Sequence, residues 1–160
     1  MRQKIFLKIP KLIITGTVLL YILLAVLAPI AKHFGWSNIA NPIYFVYSFL
    51  CHQKDTRSLH ILGEKMAFCA RDLGVFLPTA GIGILSLFPK IKLPNLNWKH
   101  YAALTTPLVV DGTVQLISEI MQKFGFRILI YESTNPLRLL TGIAFGMAIG
   151  LFIFSNLDKE

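Results

Sequence analysis

LIITGTVLLYILLAVLAPIA, residues 12–31, is a run of 20 residues without one charge. A transmembrane helix needs about 20 mostly apolar residues. A basic start, MRQKIFLKIPK, precedes the run, as it would in a secretory signal. A signal core is only about 7–15 residues long, and the small-residue exit Val26-Leu27-Ala28 runs straight into Pro29. The stretch is therefore read as a retained membrane helix, and this sets the class of the whole chain.

Composition outward from that helix agrees. Of 160 residues, 54% are hydrophobic and only 15% charged, with a mean hydropathy of +0.61; ordinary soluble domains are about 25% charged. Further apolar segments lie at 73–88 (slightly short, with Gly74, Pro78, Gly81 and Gly83 inside), 101–122 and 137–154. NPIYFVYSFL, residues 41–50, is too short to span and suits a half-helix, an interfacial helix or a packed loop. The expectation is an all-α polytopic membrane protein. It would be one bundle of about four transmembrane helices (12–31, 73–88, 101–122, 137–154) plus a short apolar or re-entrant segment, with a polar loop at 51–72. No repeat, low-complexity tract or soluble domain is visible. The net charge is +8, but the bases cluster at segment ends, where they read as headgroup anchors and topology signals rather than a nucleic-acid surface. Eight bases fall on each side of such a bundle. Setting aside Arg57, Arg71 and Arg138 as site residues, Arg2, Lys4, Lys8 and Lys11 tip the orientation. Both termini are then expected in the cytoplasm, and residues 51–72 outside the cytoplasmic membrane.

Ionisable residues inside a span are costly and mark bundle interiors or wet cavities. The third segment carries Asp111, Gln115, Ser118, Glu119 and Gln122, whose spacing puts them on one helical face. Pro107 favours a kink one turn before Asp111, with Thr105 and Thr106 able to satisfy freed carbonyls. Ahead of the fourth segment, Ser133-Thr134-Asn135-Pro136 reads as a helix start with Asn135 as N-cap. A helix N-terminus beside Arg138 suits a phosphate or carboxylate. Arg138, Gly142, Gly146 and Gly150 recur every four residues. The GxxxGxxxG face permits close helix approach, so Arg138 should point along the packed face rather than into lipid; the alternative is that it snorkels to the headgroups or pairs with Glu132 or Glu119.

CHQKDTRSLHILGEKMAFCARDLG, residues 51–74, gathers both cysteines, two of the four histidines, three acids and four bases. Three readings of the thiols stay open. Cys51 and Cys69 can form one disulfide on an oxidising face. Cys51, His52, Cys69 and Asp72, with His60 in reserve, can hold a divalent metal ion, though their spacing is not that of a standard finger. Or both thiols are free. Arg57, Arg71 and Arg138, beside Asp72, Asp111 and Glu119, would form a polar pocket at one end of the bundle. Arg57, Arg71, Arg138, Asn135, Gln115 and Ser133 are the candidate anion-binding residues, and Asp111 and Glu119 the candidate catalytic acids.

The string Cys51-His52-Gln53, Arg57-Ser58, Gly63, Cys69-Ala70-Arg71, Gly74 resembles the hallmark of a family of small, functionally uncharacterised prokaryotic integral membrane proteins. A second block is similar too: Asp111-Gly112 with Gln115, then Ser133-Thr134-Asn135, Arg138 and Thr141-Gly142. The likeness covers about residues 42–150. Family members often read CARC where this chain has Asp72, and often carry a histidine where it has Glu64. The resemblance implies an integral membrane bundle and no particular activity. The departures exchange two soft or borderline ligands for carboxylates, which weighs against zinc or copper here and leaves a disulfide or a carboxylate-containing site.

Three functions compete. The first is a membrane-embedded enzyme or carrier for an anionic lipid or lipid-linked substrate, with Arg57, Arg71 and Arg138 holding the anion and Asp111 or Glu119 moving a proton. The second is a metal-binding or redox membrane protein. The third is a non-catalytic subunit or assembly factor working with other membrane subunits.

Overall fold

A computed structural model describes residues 2–126 and 130–157, with side chains from residue 8 onward. Arg127 and Lys159, and the side chains of Arg2 and Lys4, which entered the topology argument, lie outside the described residues. Among the described residues the chain is mostly helical: α1 (Arg2–His33), α2 (Ser37–Ser48), α3 (Ala70–Ser86), α4 (Trp98–Lys123) and α5 (Asn135–Asn156). The all-α expectation needs one correction. The loop at 51–72 contains a 3₁₀ turn (Asp55–Arg57) and an antiparallel hairpin of β1 (Ser58–Ile61) and β2 (Glu64–Cys69).

Two helices are long and apolar enough to cross a membrane, Lys8–His33 within α1 and Asn135–Asn156. The other two expected spans do not reach that standard. α3 has 17 residues, about 25 Å at about 1.5 Å per residue against a hydrocarbon core of about 30 Å. α4 has 26 residues, ample length, but its polar stripe lowers its hydropathy. The apolar segment at 41–50 is the end of α2, whose 12 residues are too few to span.

The glycine face of α5 does what its spacing forecasts. A methyl on Gly142 would press into the Arg71 carbonyl of α3 and stand 3.1 Å from Gly74 Cα. On Gly146 it would stand 2.8 Å from Pro78 Cγ. The two backbones touch because nothing stands between them. Arg138, first in that series, is only 2% exposed.

A second core forms where the hairpin meets α1 and α2. Met66, Ala67 and Phe68 of β2 pack with Ala25, Ala28 and Tyr47. Tyr21 stacks on Tyr47 at 4.5 Å and on Phe68 at 6.0 Å between ring centroids. Ile61 pairs with Glu64, leaving Leu62-Gly63 as a two-residue turn. Both turn residues have positive φ, 53° and 82°, which is the requirement of a type I′ turn. At the other end Ser58 pairs with Cys69. That register brings Arg57 and the start of α3 to one place.

Candidate functional site

A cavity of about 190 Å³ opens where residues 50–57, the first turn of α3, α4 and α5 converge. Lys54, Arg57, Arg71 and Arg138 all line it, with Asp72 the one carboxylate; Gln115, Cys51, His52 and Cys69 complete most of the wall. The cations face the cavity and most of their counter-ions do not. Arg57 pairs with Glu119 and, through Nε at 3.3 Å, with Glu132. Arg71 pairs with Asp111. Arg138 reaches Glu132 only at 3.6 Å, and Asn135 Oδ1 at 3.3 Å.

Gln115 is the hub. Its Oε1 accepts from Arg71 at 3.4 Å and from Arg138 at 3.5 Å, while its Nε2 donates to Glu119 at 3.3 Å. These bonds are long, and Arg71 Nε is buried with no hydrogen-bond partner among the described residues. Buried polar groups are normally satisfied, and an Arg fork offers five donors, so donor capacity is left over at the cavity. Outside the helices the charges reinforce one another. Arg57 is held above its ordinary value: burial opposes the charge, but the hydrogen bonds it donates to Glu119 and Glu132 outweigh it. The same bond with Arg57 holds Glu132 below the usual carboxylate range.

The CHQ triplet is positioned by backbone. Cys51 N donates to Tyr47 O at 2.9 Å, continuing the end of α2. Gln53 adopts positive φ, 47°, and its Nε2 donates to Tyr44 O at 2.7 Å, while Lys65 Nζ donates to Gln53 O at 3.1 Å. Gln53 is thus a clamp that holds the loop to α2 and β2. Cys69 caps α3 and its Sγ donates to Asp72 Oδ2, one turn along, at 3.2 Å. Cys51 and Cys69 are free thiols. The expected disulfide is not formed in this structure; the closeness of the two thiols favours losing a proton from Cys51 and, with burial and Asp72, disfavours losing it from Cys69.

Of the residues singled out in the sequence, Cys51, His52, Arg57, Cys69, Arg71, Asp72, Gln115 and Arg138 meet at this cavity. Asp111 and Glu119 stand behind it as counter-ions. Ser133 is buried at 3% exposure but, like Asn135, does not line the cavity. The cap of α5 is Thr134, one residue before the expected Asn135, and makes no side-chain capping bond. His60 lies on the hairpin, 3.9 Å from Asp55, away from the cysteines. Tyr131 went unnoticed in the sequence; its hydroxyl donates to Asp111 Oδ1 at 2.7 Å, and its N–H to Ser118 Oγ at 2.9 Å. Lys54, in the sequence simply one of the eight bases on its side of the bundle, also lines the cavity. The signal for both was adjacency to the two motif blocks.

A larger apolar cavity, about 690 Å³, lies between α4 and α5, lined by Ala103, Pro107, Val110, Val114 and Leu137 among others. Asp111 and Tyr131 form its polar edge. Asp111 therefore stands between the two spaces, bound to Arg71 of the polar one and Tyr131 of the apolar one.

A family model described as a predicted membrane protein, DUF2085, matches residues 51–152. The chain belongs to the DUF2085 family. The DUF2085 match begins at Cys51 and takes in every residue lining the polar cavity except Leu50. An uncharacterized protein of Methanocaldococcus jannaschii is 37% identical over 151 residues, covering 89% of this chain and 88% of that protein. An uncharacterized protein of Methanothermobacter thermautotrophicus is 26% identical over 114 residues, covering 71% of this chain and 91% of that protein. No solved structure matches.

Proposed function

We propose that this DUF2085 protein is an integral membrane protein that binds the anionic headgroup of a lipid or lipid-linked substrate in the cavity lined by Arg57, Arg71 and Arg138. The observation that carries the reading is Arg138. It is 2% exposed and, among the described residues, its carboxylate partner is Glu132, 3.6 Å away. A buried cation so loosely paired is costly, and a phosphate or carboxylate in the cavity would supply the missing bidentate partner. The cavity, about 190 Å³, is below the about 300–1,000 Å³ of sites for whole drug-sized molecules, which favours a headgroup. The apolar cavity beyond Asp111 suits the hydrocarbon part of the same molecule.

The reading includes four membrane crossings, with α3 and α4 each packed against α5 and the polar stripe of α4 turned toward Arg71 and Arg138. Residues 51–72 then lie on the outer side and the termini in the cytoplasm. The experiment is native mass spectrometry in mild detergent with added phosphatidylglycerol, alongside titration with inorganic phosphate. The wild type is expected to retain the lipid, and Arg138→Gln to lose it by roughly tenfold or more in affinity, since hydrogen bonds to charged groups contribute about 1.5–3 kcal/mol. Phosphate binding without lipid retention would identify a free anion as the ligand. Equal binding of both probes by wild type and Arg138→Gln would refute the reading.

A further inference from the structure

We propose that Cys51, Cys69 and Asp72 form a binding site for one soft or borderline divalent cation, with Zn²⁺ as the reference ion. Cys51 Sγ, Cys69 Sγ and an Asp72 carboxylate oxygen all lie within 4.8 Å of one another. Zinc bonds of about 2.3 Å to sulfur and about 2.0–2.2 Å to oxygen, set at tetrahedral angles, require ligand atoms roughly 3.5–3.8 Å apart. Cys69 Sγ and Asp72 Oδ2 are already 3.2 Å apart, so closing the set around a cation takes side-chain adjustment only.

The three ligands come from rigid places. Cys69 is the N-cap of α3 and Asp72 lies within the first turn of the same helix. Cys51 is tied to the end of α2 by its N–H bond to Tyr47 O and followed by the Gln53 clamp. The hairpin that joins the two sides is anchored on the aromatic core, so the spacing does not depend on a floppy loop. Two thiolates select against Mg²⁺ and Ca²⁺, which take oxygen ligands.

Charge argues the same way. Two thiolates and a carboxylate around a divalent ion leave one net negative charge. Lys54, Arg57, Arg71 and Arg138 on the same wall offset it. Three protein ligands also leave a fourth position, and all three residues line the cavity, so that position opens onto it. His52 lines the cavity too, but its ring nitrogens are not in the close group. The site depends on the sulfur and carboxylate atoms alone and stands whether or not the arginines bind an anion.

The test is a titration of the full chain, in mild detergent and reduced with a phosphine, with Co²⁺ and then Zn²⁺. Uptake of one Co²⁺ per chain is expected, with thiolate-to-cobalt charge-transfer absorption, displacement by Zn²⁺ and release of thiol protons. Cys51→Ser and Cys69→Ser should each abolish the charge-transfer band. The near-isosteric Asp72→Asn should keep the fold by circular dichroism and weaken binding roughly tenfold or more. Failure of the reduced wild type to take up a saturating equivalent would overturn the proposal. So would uptake unchanged in Cys69→Ser or Asp72→Asn.

Discussion

Replacing Gly146 by Ala tests the contact on which the bundle end depends. A methyl at Gly146 would lie 2.8 Å from Pro78 Cγ and 2.9 Å from the Val75 carbonyl carbon, and closer still to the Val75 oxygen. Carbon atoms pack at about 3.5–4.0 Å, so α3 and α5 would have to separate by about 0.7 Å or more. The neighbours are a proline ring and main chain, neither of which can rotate aside. Overpacking of this kind costs about 1–3 kcal/mol, against the roughly 0.5–1 kcal/mol that Ala gains over Gly in a helix. Gly81, on α3, is the control, because a methyl there meets nothing within 4 Å. Gly81→Ala should therefore be neutral or stabilising, and the two variants should differ by about 2 kcal/mol. For a chain of this size that is a gap of about 4–8 °C in melting temperature, followed by circular dichroism in one detergent. If Gly146→Ala melts with or above Gly81→Ala, the α3–α5 backbone contact is not what holds the bundle.

Other expectations follow from the loop and the connector. Glu132 is held below the ordinary carboxylate range by Arg57. Its pairing therefore adds stability above the unfolded value of about 4.3 and loses it as pH falls through the lower folded value; Glu132→Gln should flatten the acid side of a melting-temperature profile, and an unchanged profile would exclude this clip. Leu62 occupies a left-handed position at φ 53°, where a branched side chain costs roughly 1–2 kcal/mol; Leu62→Asn should raise the melting temperature slightly, and a drop would contradict the turn. For topology, in a background with Cys51 and Cys69 replaced by Ser, cysteines placed at His60 and Lys92 should differ in intact cells. His60→Cys should react with a membrane-impermeant maleimide and Lys92→Cys only after lysis. Equal labelling of both would show that α3 does not cross.

Much of the bundle was legible because its rules are one-dimensional. The uncharged run at 12–31, the fourfold repeat of Arg138, Gly142, Gly146 and Gly150, and the one-sided polar stripe of α4 each follow from helical periodicity alone. The hairpin was not legible. Its turn places Leu62 where Asn or Gly normally signals two-residue connections, and its apolar face reads Met66-Ala67-Phe68 rather than in strict alternation, because a bulge interrupts the ladder between Ser58 and His60. The site was half legible for a related reason. Asn135 and Ser133 looked suited to an anion because they flank a helix start, but it is the start of α3 that faces the cavity. The hairpin decides this, since pairing Ser58 with Cys69 delivers Arg57 and the first turn of α3 together.

That first turn also explains how one wall carries two chemistries. Arg71 and Asp72 are adjacent on α3 and so point about 100° apart around the helix axis. Arg71 turns toward α4, where Asp111 and Gln115 receive it. Asp72 turns back toward the cap, where Cys69 donates to it. A cation seated between the sulfurs and Asp72 would engage the carboxylate that lines the cavity without drawing Arg71 away from Asp111. The arginine donors that remain unfilled would then face the cation's open position across the same small cavity. Metal loading should on this geometry tighten anion binding, because the open position would take an anion oxygen directly, while the net charge of the site, one negative, stays that of Asp72 beside two neutral thiols. Zn²⁺-loaded protein holding phosphate no better than the reduced apo-protein would separate the two sites energetically, despite their shared wall.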